Sequence, residues 1–274
     1  MRLQHIIEQV YYQPWFITPE GHASVVRLLE NKLFSAASED DTEDLMGMIV
    51  RKRETSYIDG DGIGHIQMLG VLGNKLSQIE ETCGNTDYKR VISEISAMQS
   101  SGVKGIMLDI DSPGGTVQGN EELVDAVQGL DMPTMAYTDS TMCSAAYNVA
   151  ASCRYIMVSK SSTVGSIGCI LPWVDKSEMW SEMGMKFDPI TNKEGDLKSA
   201  MHGPSLSGEQ RQYLQDHVQQ AFSMFKANVL RNRSVKPEAM RGQAFLGIDA
   251  LKHNLVDGLV SAEQARNKML ALVK

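Results

Sequence analysis

Val103-Lys104-Gly105-Ile106-Met107-Leu108-Asp109-Ile110, followed at once by Asp111-Ser112-Pro113-Gly114-Gly115, is the stretch of this 274-residue chain on which the fold turns. The first eight residues are nearly all apolar and do not alternate with polar ones, the pattern of a strand covered on both faces. The run breaks in a Pro-Gly-Gly, where the backbone can turn sharply and present its N–H groups with no side chain in the way. A helical pattern with Val117, Leu123, Val124 and Val127 follows. The unit is strand, turn, helix.

Working outward, the unit repeats: a strand over Thr134 to Tyr137, a turn, an Ala-rich helix from about Ser144, then a strand over Tyr155 to Val158. Upstream lie a short strand around Ile66 and Met68 and a helix with Tyr88, Val91, Ile92, Ile95 and Met98 on one face. Downstream, Ser207 and Gln210 form a capping box for a long helix bearing Leu214, Val218, Ala221, Phe222, Phe225 and Val229. Together these predict a layered α/β domain over residues 56–274. Residues 1–55 read as an N-terminal helical arm, with a helix over Thr18 to Phe34 capped by Thr18, and then an acidic linker, Ser38 to Asp44.

Composition narrows the function classes. The chain carries 34 acidic and 26 basic side chains, a formal charge of −8, with no Lys/Arg stripe, so nucleic acid is not expected as a partner. No stretch reaches the roughly 20 apolar residues of a membrane span, and Met1 to Pro14 is too polar for a secretory signal; no membrane anchor and a cytoplasmic setting are expected. Cys83, Cys143, Cys153 and Cys169 show no CxxC spacing and there is no close His pair, which implies reduced thiols and no metal or other cofactor. The 17 Met residues read as core filler.

Two loops can carry chemistry. The N–H groups of Gly114 and Gly115 can cradle an oxyanion, although such a loop is also an ordinary turn. Ser144 starts a helix after a strand, where it serves either as N-cap or as nucleophile, with the N–H of Ala145 as a second oxyanion donor. A serine nucleophile needs a base. Of the histidines worth checking, His65, His202 and His253, none falls between His65 and His202. The segment Glu194-Gly195-Asp196-Leu197-Lys198-Ser199 offers a lysine, which acts as base once burial lowers its pKa, but residue pattern does not choose Lys198 over Lys193.

Taken in order, Leu108-Asp109-Ile110-Asp111-Ser112-Pro113-Gly114-Gly115, Ser144-Ala145-Ala146-Tyr147, Thr163-Val164-Gly165-Ser166-Ile167-Gly168 and Gly195-Asp196-Leu197-Lys198-Ser199 resemble the signal peptide peptidase A family, and within it the phage prohead, or head maturation, proteases. Gly242 to Gly247 and Gly258 to Val260 are similar to that family's closing motif. The resemblance spans about residues 63–262 and implies a ClpP/crotonase-like layered α/β fold. It implies a Ser/Lys dyad of Ser144 and Lys198, with Ser166 orienting the lysine, and Gly114, Gly115 and Ala145 as oxyanion donors. Val164, Gly165 and Ile167 would bind an extended substrate. It further implies a homo-oligomeric ring that acts in the host cytoplasm or procapsid on a scaffold or capsid precursor. The histidine of a Clp-type triad is absent. Two other functions fit less of the chain: a peptide-degrading cytoplasmic relative of the signal peptide peptidases, and a crotonase-fold acyl-CoA enzyme, which leaves Ser144 and Lys198 unexplained. A catalytically silent capsid component leaves the same pair unused.

Overall fold

The computed structural model describes residues 13–34, 55–77, 80–81, 84–175, 177–186, 188–200 and 205–274. The chain enters through β1 (Trp15–Ile17) and α1 (Pro19–Phe34), the helix capped as expected by Thr18, whose Oγ1 accepts the Gly21 N–H at 3.1 Å. An antiparallel hairpin of β2 (Ser56–Ile58) and β3 (Ile63–Leu69) follows, then the two-residue strands β4 (Leu72–Gly73) and β5 (Thr86–Asp87). Asp87 caps α2 (Tyr88–Ser100) by accepting the Lys89 N–H at 2.7 Å.

The decisive apolar run is β6 (Gly105–Asp111), an interior strand paired in parallel with β3 on one side and with β8 (Thr134–Thr138) on the other. With β10 (Tyr155–Val158) and β13 (Gly258–Leu259) these make a six-stranded sheet in the order β13-β10-β8-β6-β3-β2, parallel except for β2. Its composition now has a cause. Ile106, Leu108 and Ile110 join the main core with Val91, Ile95 and Met98 of α2, while Met107 points to the opposite face, against Ala265 and Met269 of the last helix (Ala262–Leu272). A strand covered on both sides has no use for alternation.

Where the sequence predicts a bare turn between strand and helix, the structure inserts a short strand of a second layer. β6 leads into β7 (Gly114–Thr116) and then α3 (Asn120–Gln128); β8 leads into β9 (Thr141–Cys143) and then α4 (Ala145–Ala150); β10 leads into β11 (Thr163–Gly165). These short strands form two small sheets, β1-β7-β4-β5 and β12-β11-β9, with β12 being Ala244–Leu246. Helix α5 (Ser177–Glu182) lies in a largely exposed excursion after β11. The long helix α6 (Gly208–Asn232) carries the Ser207–Gln210 capping box that the spacing predicts. Chain order closes with α7 (Gly247–Lys252), β13 and α8, the Ala262–Leu272 helix.

One expectation is corrected. Trp15, Phe16 and Ile17 do not belong to an arm outside the domain: β1 pairs antiparallel with β7, all three side chains are buried, and the Phe16 ring lies 4.9 Å from that of Phe225 on α6. Burying three large apolar side chains stabilises this edge by about 1.5–3 kcal/mol each, a contribution that an arm free of the domain would lose. The acidic linker lies outside the described residues.

Candidate active site

Ser144 sits between β9 and α4 with φ 54° and ψ −115°, a backbone conformation that side-chain-bearing residues rarely adopt. Such strain costs of order 1–3 kcal/mol and persists only where the surroundings enforce it. Here they do: the Ser144 N–H donates to the Gly165 carbonyl at 2.7 Å, and its own carbonyl accepts the Asn148 N–H at 2.8 Å. The side chain makes no helix-capping bond. Its Oγ is buried and has no hydrogen-bond partner among the described residues. The N-cap alternative is therefore excluded, and a hydroxyl costly to bury is held bare at a strained strand-to-helix turn.

Gly114 packs against the Ser144 side chain at its Cβ. A Cβ built on it would come 3.0 Å from Ser144 Cβ and 2.2 Å from the Phe16 carbonyl oxygen, and its φ of +116° independently favours glycine. The Gly114 N–H currently donates to Ser112 Oγ at 3.2 Å. Gly115 is corrected as an oxyanion donor. Thr18 donates to the Pro113 carbonyl and Val117 to the Pro14 carbonyl, so antiparallel alternation turns the intervening Gly115 N–H toward Phe16 on β1. Ala145 is the first residue of α4, and its N–H has no acceptor within the helix.

Ser166 is buried at φ 52°, its N–H donating to the Gln243 carbonyl at 2.9 Å; it directly follows Gly165, the residue bonded to Ser144. Val164 pairs with Phe245 of β12 on one side and Met142 of β9 on the other, and the Ile167 carbonyl accepts from Gly242. With both edges of β11 occupied, an extended peptide cannot pair at Val164 as expected. Beyond Ile167 the chain instead borders a groove of about 630 Å³, lined by Cys169, Ile170, Leu171 and Trp173 opposite Leu214 and Val218 of α6.

The structure does not bring Lys198 to Ser144. Lys198 is exposed, on a 3-10 turn (Asp196–Ser199) with no buried residue, and Lys193 is exposed too. The turn is fastened to the start of α6, and the Ser144 hydroxyl it would serve is unpartnered. Among the described residues no histidine takes its place. His65 lies on the opposite face of the central sheet, its Nδ1 3.1 Å from Asp109, and His253 packs on Phe245; His202 is outside the described residues. Cys143, beside Ser144, is no rival nucleophile, since burial, helped by the charge of Glu20, pushes its thiol up to about 12.

Sequence reasoning missed a buried amide chain behind the serine. Asn228 of α6 donates to both the backbone and the side-chain oxygen of Asn148 (2.9 and 2.8 Å), Asn148 to Asn120 (2.7 Å), and Asn120 to the Ala145 carbonyl (3.1 Å). The signal was present in Asn228, a polar residue between Phe225 and Val229 on the buried face of a helix. Among the described residues, no group of three or more His, Cys, Asp or Glu could hold a metal ion, and no helix is long and apolar enough to cross a membrane.

Against this geometry, the profile of peptidase family S49 matches residues 127–274, which include Ser144, Ser166 and Lys198. The chain belongs to peptidase family S49. Among S49-related proteins it is similar to head-tail preconnector protein GP5 of Enterobacteria phage P21, 27% identical over 97% of this chain and 57% of that protein. It is also similar to capsid assembly protease C of Escherichia phage lambda, 23% identical over 78% of this chain and 50% of that one. The chain thus spans about half the length of the curated relatives it matches. A solved enoyl-CoA hydratase (ECHA3) from Mycobacterium marinum overlays with a TM-score of 0.48 at 14% identity, over 80% of this chain and 85% of that one.

Proposed function

We propose that this S49 chain is a serine endopeptidase with Ser144 as nucleophile and Lys198 as general base, processing scaffold or capsid proteins during phage head maturation. The observation that carries the reading is the Ser144 hydroxyl, buried, strained and unpartnered against Gly114. In this reading the neutral Lys198 amine removes the Ser144 proton as Oγ attacks the scissile carbonyl. The Ala145 N–H, with that of Gly114 once released from Ser112, receives the oxyanion. The lysine ammonium then protonates the leaving amine, and water, deprotonated by the same amine, hydrolyses the acyl-serine. Ser166 orients the lysine.

The reading requires the Lys198 turn to close on Ser144, because a base must come within hydrogen-bond reach and an ammonium left in water stays protonated at neutral pH. Since β11 has no free edge, the substrate's extended chain lies along the groove between Cys169–Trp173 and α6. The phage setting is supported by the preconnector and capsid protease relatives.

The test is cleavage of a co-expressed scaffold or capsid precursor, or of a peptide with small apolar residues at the scissile bond, by wild type, Ser144→Ala and Lys198→Ala. Both variants are expected to be inactive. Equal cleavage by all three would sink the dyad.

A further inference from the structure

Among the described residues, a single side chain hydrogen-bonds the turn that carries Lys198 to α6. Gln210, third residue of α6, uses both ends of its amide: Oε1 accepts the Ser207 N–H at 3.1 Å, while Nε2 donates to the Asp196 carbonyl at 3.1 Å and to Ser199 Oγ at 2.9 Å. Ser199 Oγ donates in turn to the same Asp196 carbonyl at 2.9 Å, and the Lys198 N–H closes the turn onto the Gly195 carbonyl at 3.0 Å. The two residues that Gln210 holds flank Lys198.

We infer that Gln210 is a positioning residue, which fastens the Lys198 turn to the first turn of α6 and so sets where the base is presented. This rests on the Ser144–Lys198 reading and deepens it. The cap itself needs only an acceptor at Gln210; glutamate supplies one equally well and its charge suits a helix N-terminus better. What glutamine adds is a donor, and the donor is spent on the turn. A lysine on an otherwise exposed loop would sample many positions; clamped to the start of α6 it samples fewer, and less ordering is left to complete when the turn closes on Ser144.

Gln210→Glu separates the two roles, because it keeps the cap acceptor and removes the donor. Its thermal stability is expected to match or exceed wild type. Its kcat should fall about tenfold with KM changed by no more than about twofold, the loss of one positioning hydrogen bond. The acid limb of the pH–rate profile should move to higher pH, since a carboxylate near Lys198 holds its proton more tightly. Ser199→Ala removes an acceptor of the same clamp, so the double variant should lose little more than the worse single one.

An unchanged kcat and acid limb in Gln210→Glu, with Lys198→Ala inactive, would overturn the inference and leave the dyad standing. Losses that multiply in the double variant would also overturn it, as they mean separate roles. Full activity in Lys198→Ala removes the dyad reading and the inference with it.

Discussion

Gly114 and Ser144 are packed so closely that no side chain fits between them: a methyl on Gly114 would stand 3.0 Å from Ser144 Cβ and 2.2 Å from the Phe16 carbonyl oxygen. The second contact is with backbone and cannot be relieved by a rotamer change. Gly114→Ala must therefore displace β1 or β7 and also force alanine into a φ near +116°. The expected cost is about 2–4 kcal/mol, a fall in Tm of several degrees, with peptidase activity down about 100-fold as the oxyanion donor shifts. Thermal melts and peptide cleavage check it; a variant with wild-type Tm and rate contradicts the packing.

Ser144 reverses the usual relation between function and stability. Its hydroxyl is buried without a partner, so Ser144→Ala should abolish cleavage yet leave stability unchanged or raise it by up to about 1 kcal/mol. Ser144→Gly should gain through its positive φ. Urea unfolding measures both. A marked loss of stability in Ser144→Ala would reveal a structural partner for the hydroxyl, because an orphaned buried partner is costly.

What the sequence shows clearly is what short range determines. The unalternating run through Leu108 announces a strand buried on both faces, and Ser207-x-x-Gln210 announces the start of α6. Ser144 is ambiguous in sequence, since a serine opening a helix is usually a cap; only its φ and its bare Oγ separate the two roles. Gly115 looks equivalent to Gly114 because strand register, which turns alternate N–H groups to opposite edges, is a property of the partner strand β1. That partner lies in residues that read as an arm, since three apolar residues alone carry no period. The occupied edges of β11 are hidden for the same reason: its partner β12 (Ala244–Leu246) is remote in sequence, beyond the whole of α6.

Cys143 tests whether the adjacent serine, and no thiol, does the chemistry. Burial pushes its thiol up to about 12, so almost none is thiolate at neutral pH. Iodoacetamide should leave native Cys143 unmodified and cleavage intact, and should label it once the chain is unfolded in guanidinium. Peptide mass mapping reads both states. Labelling of Cys143 in parallel with loss of activity in the native protein would instead favour thiol chemistry.

The Asn120–Asn148–Asn228 chain ties α6 to the helix that follows the nucleophile. Asn228 donates to two oxygens of Asn148, and all three amides are buried. Asn228→Ala leaves Asn148 Oδ1 unpaired in a low-dielectric core and its backbone oxygen with only the Ser152 hydroxyl at 3.4 Å, and a lost buried partner is expensive. The expected destabilisation by urea unfolding is about 2–4 kcal/mol, with cleavage reduced in the folded fraction because the Ala145 end of the chain loosens. A change no larger than that of an ordinary surface substitution would mean that water replaces the amide at no cost.

Asp59 and Arg266 give stability a pH dependence whose sign can be worked out. Burial opposes ionisation of Asp59, but the N–H groups of Ile63 and Asp61 and the guanidinium of Arg266 together outweigh it, and the carboxyl titrates below its ordinary value of 3.8. A group whose pKa is depressed on folding adds stability above its unfolded pKa, near 4, and loses it as pH falls through the folded value. Arg266→Met removes the 2.8 Å ion pair with Asp59, and the pair with the exposed Asp61, while keeping much of the stem's apolar contact. The stability gap between wild type and Arg266→Met should therefore be largest near pH 7, hold to about pH 5, and narrow below about pH 4 as Asp59 is protonated. His65 Nε2 also lies 3.6 Å from this carboxylate, a contact that the Arg266→Met substitution does not touch. Urea unfolding at pH 7, 5 and 3 measures the gap. If the gap is the same at pH 3 as at pH 7, Arg266 contributes by packing alone and the charge pairing is without effect.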